Sequence, residues 1–78
     1  MKNLILNLKS IIINEFGISE PISNSDSLDN MGLDSIALIE YQYEISKKLN
    51  IEESEIKINK NESLTDLTTR LNLIIEEK

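Results

Sequence analysis

The sequence contains no cysteine and no histidine among its 78 residues. Without cysteine the chain can form no disulfide and offers no thiolate, and without histidine it lacks the commonest general base. The two absences together remove the side chains that most transition-metal sites use. We therefore expect the protein not to be an enzyme, with no catalytic residue and no metal site.

Long apolar runs are also missing. One apolar stretch, Leu4 to Ile13, is interrupted by Asn7, Lys9 and Ser10 and is too short to cross a bilayer. No small-residue cleavage site follows it, so it does not resemble a signal peptide. We interpret the protein as cytoplasmic, without membrane association.

Basic residues are outnumbered, because eight lysines and arginines stand against 14 aspartates and glutamates, giving a formal charge of −6. That charge repels the phosphate backbone of nucleic acids and favours basic protein partners. The length allows one small domain, residues 1–78, which we expect to be a monomer. A domain of this size is only marginally stable, so its stability depends on good helices.

The spacing of the apolar residues predicts an all-α fold. A first helix over residues 3–16 carries one apolar face, formed by Leu4, Ile5, Leu8, Ile11, Ile12 and Phe16. A second helix runs from Ser35 to about Asn50, where Lys47 and Lys48 favour its carboxyl end and Asn50 is predicted to take the cap position. Its expected core face is formed by Leu38, Tyr41, Ile45 and Leu49.

Residues 51–58 indicate a short third helical turn, with Ser54 as a possible cap. A capping-box-like start at Ser63 opens a final helix that runs to about Glu76. The sequence therefore predicts a small four-helix bundle, with three main helices and one short helix, in which helices one, two and four carry most of the core.

A long loop of about 17 residues, Ile18 to Asp34, joins the first two helices. Gly17 and Pro21 are expected to end the first helix. Such length usually means function or disorder. Gly32 predicts a positive-φ step just before the second helix, and the apolar side chains expected to anchor the loop are Ile22, Leu28, Met31 and Leu33.

The loop ends in Met31-Gly32-Leu33-Asp34-Ser35-Ile36, and helix-forming sequence follows at once. Ser35 is thus predicted on the first turn of the second helix, with its hydroxyl pointing outward, and Asp34 is predicted to cap that helix. An Asp-Ser pair before a helix is often no more than a cap, so these two residues alone leave a purely structural role open.

The run from Ser27 to Ile36 resembles the phosphopantetheine attachment motif of acyl carrier and peptidyl carrier proteins, and the length, acidity and helix order are similar as well. The resemblance implies that Ser35 carries 4'-phosphopantetheine derived from coenzyme A and that Asp34 helps to present it. It further implies a stand-alone carrier that holds acyl or aminoacyl groups as thioesters.

The same resemblance implies the partners. A phosphopantetheinyl transferase would modify the serine, an acyl- or aminoacyl-loading enzyme would charge the arm, and downstream synthase enzymes would use the cargo. Ile36 after the serine is common in peptidyl carriers, Gly32 to Ser35 is more similar to polyketide-type carriers, and Lys47 and Lys48 depart from the fatty-acid pattern. We expect a specialised polyketide, fatty-acyl or nonribosomal-peptide-type pathway.

Beside Ser35, helical geometry of about 100° per residue groups Ile36, Ile39 and Tyr43 on a flank away from the core face. They are either a second packing face or an exposed patch that partners contact. Glu40 and Glu44 border this flank as an acidic i,i+4 pair with no lysine between them. They are either ordinary solvated charges or partner-recognition residues.

A competing interpretation is a small acidic helical adaptor that is never modified and binds a basic partner through the flank of Ile36, Ile39 and Tyr43. It predicts no dependence on coenzyme A. A catalytic fragment is disfavoured, because the sequence has no paired-carboxylate constellation with a base and no glycine-rich phosphate loop.

Overall fold

The computed structural model describes residues 4–18 and 22–76, and within them the chain forms four α-helices and no β-strand. The helices are α1 (Leu4–Phe16), α2 (Ser35–Leu49), α3 (Glu53–Ile56) and α4 (Leu64–Glu76). Helix α1 packs against both α2 and α4, and α3 packs against α2. The predicted all-α bundle of three main helices and one short helix is confirmed.

The core comes mainly from the three longer helices, as the apolar spacing predicted. Their fully or almost fully buried side chains are Leu4, Leu8, Ile11, Ile12, Tyr41, Ile45, Leu64, Leu67 and Leu71. Leu38 and Leu49 are partly buried against this cluster. The ring of Phe16 meets the ring of Tyr41 edge-on, with 5.9 Å between centroids, so aromatic packing helps to join α1 to α2.

The helix ends follow the chemistry of their terminal residues. Gly17, directly after α1, has φ of 66°, and Asn50, directly after α2, has φ of 56°. The Asn50 amide donates to the carbonyl of Ser46, which closes the last turn of α2. At the start of α4, the Ser63 hydroxyl accepts from the Asp66 amide at 3.1 Å. These predicted caps are confirmed, whereas Pro21 lies outside the described residues.

The long loop between α1 and α2 is held by the segment that leads into α4. The Leu28 amide donates to the Glu62 carbonyl at 2.8 Å, and the Thr65 amide donates to the Asn24 carbonyl at 3.1 Å. Between these bonds lies an isolated antiparallel bridge between residues 27 and 63. The loop is therefore fixed by backbone pairing as well as by its apolar anchors.

Helix α3 is held at its carboxyl end by Arg70 of α4. The Arg70 guanidinium donates to the Ile56 carbonyl and makes two hydrogen bonds to the Glu62 carboxylate, at 2.8 and 2.9 Å. The prediction of Ser54 as the cap of this helix is wrong. Ser54 lies inside α3, and the residue at the cap position, Glu52, makes no side-chain capping bond.

Candidate functional site

Ser35 is the first residue of α2, and its side chain is exposed. Helix α2 begins there because Asp34 has extended backbone and its Oδ1 accepts the Ala37 amide at 2.9 Å. Such an N-cap contributes about 1 kcal/mol. The Ser35 hydroxyl itself makes no hydrogen bond to the described part of the chain. The predicted positions of both residues are confirmed, and the cap leaves the serine hydroxyl free.

The turn before Ser35, residues 28–33, is held in place by apolar side chains that pack into the core. Leu28 and Leu33 are buried at its two ends, and the Leu33 amide donates to the Leu28 carbonyl at 3.2 Å. Met31 packs against the core between them. Gly32 has φ of 98°, and a Cβ there would meet nothing within 4 Å. Glycine is therefore required at this position for its backbone conformation and not for space.

The flank of α2 beside Ser35 is exposed. Ile36, Ile39 and Tyr43 have 68%, 66% and 51% of their surface accessible, and we call these three residues the apolar face. The alternative in which they form a second packing face is wrong, because none of them is buried by the described residues. An apolar surface of this kind on a small protein is typical of a contact site.

Glu40 and Glu44, which border the apolar face, differ in exposure and in ion pairing. Glu40 is exposed and has no ion pair within residues 4–18 and 22–76. Glu44 is partly buried, and its carboxylate lies 3.5 Å from Lys47 Nζ. That Nζ also lies 5.0 Å from the centre of the Tyr43 ring. No lysine lies between the two glutamates, as the sequence indicated, but Lys47, which lies beyond them, pairs with Glu44.

Sequence reasoning missed Lys47 as a neighbour of the apolar face. The signal was present, since residues three and four apart on a helix are adjacent, and Lys47 follows Glu44 by three and Tyr43 by four. Lys47 was instead assigned to the helix dipole, which its place in the last turn also favours.

A groove of about 330 Å³ lies between α1 and the second half of α2. It is lined by Ser10, Ile11, Asn14, Glu15, Glu44, Lys47 and Lys48. At 1.5 Å of rise per residue, its nearest α2 residue, Glu44, is about 13 Å along the helix from Ser35. Ser35 thus faces solvent and does not face this groove.

Neither a metal-binding cluster nor a membrane-spanning helix occurs in the part of the chain that the structure describes. Residues 4–18 and 22–76 include no group of three or more histidine, cysteine or acidic side chains that could hold a metal ion. In the same ranges, no helix has both the length and the apolar character needed to cross a membrane.

The surroundings of Ser35 fit a phosphodiester-linked 4'-phosphopantetheine arm. Attachment needs a hydroxyl that a second protein can reach, and this one is exposed and unbonded at the start of a 15-residue helix. The positive end of a helix favours an anionic phosphate group close to it. Asp34 would remain the cap of α2 and would hold the serine in place, because its bond is to Ala37 and not to Ser35.

Comparison with protein families agrees with this geometry. Residues 7–71 match the family model described as the phosphopantetheine attachment site. No curated protein and no solved structure matches the chain. The match covers most of the 78 residues and includes the whole of the turn and helix that carry Ser35. The chain therefore belongs to the phosphopantetheine-attachment family, the carrier domains that bear a 4'-phosphopantetheine prosthetic group.

Proposed function

We propose that this protein carries its 4'-phosphopantetheine arm on Ser35 and serves as an acyl or aminoacyl carrier in a specialised biosynthetic pathway of the polyketide, fatty-acyl or nonribosomal-peptide type. The observation that carries the proposal is the exposed, unbonded Ser35 hydroxyl on the first turn of α2, directly after the capping Asp34. When bound, the arm supplies a terminal thiol that holds the cargo as a thioester.

The chain's own part in the attachment step is to present a nucleophile. The Ser35 oxygen attacks the phosphorus of coenzyme A that bears the pantetheine arm, a new O–P bond forms, and the bond to the adenosine bisphosphate leaving group breaks. The transferase supplies Mg²⁺ and accepts the serine proton. Asp34 fixes the position of the serine backbone through the cap of α2.

The carrier's second task is to be recognised by several enzymes in turn. The transferase, a loading enzyme and the downstream synthase enzymes all have to reach the same serine, so they share the surface around it. We propose that this surface comprises the apolar face of Ile36, Ile39 and Tyr43 together with Glu40 and Glu44. Tethering then raises the effective concentration of the cargo at each enzyme.

The exposed apolar face also favours the second candidate function, an unmodified adaptor that binds a basic partner. Modification separates the two. Incubation with coenzyme A, Mg²⁺ and a broad-specificity phosphopantetheinyl transferase should add one phosphopantetheinyl group in intact-mass analysis.

The matched variants are two serine-to-alanine changes on exposed helical positions. Ser35→Ala should remain unmodified while keeping its helical circular dichroism, and Ser54→Ala on α3 should be modified like the wild type. An unmodified wild-type protein would favour the adaptor. Modification that persists in Ser35→Ala would move the attachment site elsewhere.

A further inference from the structure

The exposed stripe of α2 changes its charge along the helix. Nearest to Ser35 are the exposed carboxylates of Asp34 and Glu40, and neither is in an ion pair within the described residues. Further along, Glu44 is paired with Lys47 at 3.5 Å. A partner that approaches this stripe therefore meets free negative charge only beside the serine.

Lys47 lies on the exposed stripe of α2, at the edge of the apolar face. At about 100° per residue it is about 120° from Ser35, between the directions of Tyr43 and Glu44. Its contact with the Tyr43 ring, at 5.0 Å, helps to hold the ammonium group over this surface. Lys48 points about 100° away from it and makes no ion pair in the described part of the chain.

We propose that Lys47 is a specificity-determining residue of the docking surface. By neutralising Glu44 it confines the negative docking charge to Asp34 and Glu40, so the carrier accepts proteins whose cationic residues cluster around the serine. It disfavours proteins that require a second cationic contact one to two turns further along α2. This inference rests on the proposed function of Ser35.

Exposed ion pairs add little to stability. The main effect of the ion pair between Glu44 and Lys47 is therefore on the electrostatic field that an approaching partner protein encounters. Two unit charges about 8 Å apart in water interact strongly enough to change a rate about twofold at low ionic strength. One additional free carboxylate at Glu44 should change the association rate by that factor for each nearby cationic residue of the partner.

The test is a cycle of variants with a broad-specificity phosphopantetheinyl transferase as the probe. The measured quantity is the second-order rate constant of Ser35 modification at low salt. Lys47→Met removes the charge and keeps an apolar stem over Tyr43, and it should raise the rate about twofold. Lys48→Met makes the same change in net charge and should raise it less. Lys47→Arg keeps the charge and should match the wild type.

Glu44→Gln completes the cycle. In the Lys47→Met background it should cancel the gain, and in the wild-type background it should lower the rate by about the same factor, because it leaves the Lys47 ammonium group unpaired. Equal rates for Lys47→Met and Lys48→Met, or a gain in Lys47→Met that Glu44→Gln does not cancel, would overturn the proposal for Lys47 and leave the proposed function intact. A wild-type protein that is never modified would instead overturn the proposed function, and this inference with it.

Discussion

The phenolic hydroxyl of Tyr41 donates a hydrogen bond to the main-chain carbonyl of Leu8, at 3.0 Å, inside the core. The bond joins α2, the helix that carries Ser35, to α1. The Tyr41 side chain is fully buried. Burial raises the pKa of the Tyr41 hydroxyl above its ordinary value, because a phenolate in the core would lose its hydration. The folded state therefore holds this proton more tightly than the unfolded chain.

A pH-dependent stability difference follows from the raised pKa of Tyr41. The group's stabilising contribution is complete below about pH 10, the ordinary tyrosine value, and it is lost as the pH rises above it. Tyr41→Phe should cost about 1 kcal/mol of unfolding free energy at pH 8. This difference should vanish between about pH 10 and pH 11 and be slightly reversed at about pH 11, where the wild type has lost about 1.4 kcal/mol. Urea unfolding of both proteins at the two pH values measures it, and a difference that does not change with pH contradicts the assignment.

The exposure of the apolar face predicts a separation between stability and function. Ile39→Ala should cost well below the 2–5 kcal/mol of a core truncation, because Ile39 is 66% exposed. Ile45→Ala and Leu71→Ala remove fully buried side chains and should fall within that range. Denaturant midpoints measure the costs, and the rate of Ser35 modification should drop for Ile39→Ala. Equal destabilisation of the three variants would mean that Ile39 is packed in the core and is not an exposed contact residue.

The bonds of Arg70 predict that one residue of α4 controls the order of α3. Arg70→Met leaves the Ile56 carbonyl without the guanidinium donor and the partly buried Glu62 carboxylate with only the Asn59 amide, and it should cost about 2 kcal/mol. Amide exchange over residues 53–57 should speed up more than exchange in α1.

Two further variants test whether the loss of the Arg70 hydrogen bonds causes the faster exchange in α3. Adding Glu62→Gln to Arg70→Met should recover part of the loss, since no unpaired carboxylate remains. Lys60→Met, an exposed change of the same charge, should leave α3 protected. Exchange that rises uniformly over all helices would mean that Arg70 supports the whole bundle and not α3.

The free charge of Glu40 predicts electrostatic steering of the transferase. The rate of Ser35 modification should fall as salt rises from about 0.15 M to about 0.5 M, because the Debye length shrinks below about 8 Å. Glu40→Lys should slow the reaction and flatten its salt dependence. Glu76→Lys makes the same change in charge at the far end of α4 and should do less. If the two variants behave alike, Glu40 is an ordinary solvated glutamate.

The parts of the fold that sequence reasoning predicted are those encoded by neighbouring residues. The helix periods, the cap by Asp34, the positive φ of Gly32 and the left-handed Asn50 all follow from side chains within a few positions. The exposed apolar face could be placed on a flank by angle alone. Whether another helix covers that flank depends on tertiary packing, so the sequence left two alternatives.

The features that were missed depend on residues far apart or on competing roles. The backbone bonds from Leu28 to Glu62 and from Thr65 to Asn24 involve no side-chain pattern, so nothing in the sequence marks them. Arg70 was overlooked because one arginine on an amphipathic helix usually faces solvent. Ser54 was misassigned because a serine within a short acidic segment suits a cap as well as a helix interior.

The pairing of residues 24–29 with residues 60–65 has a consequence for protein synthesis. The turn that displays Ser35 is braced by a segment that leaves the ribosome only after α2 and α3 have been made. A nascent chain that ends before residue 60 contains the serine and its cap but lacks this brace. The brace can therefore form only after residues 60–65 have been made, and a transferase that requires the braced turn should modify chains that include these residues and not shorter ones.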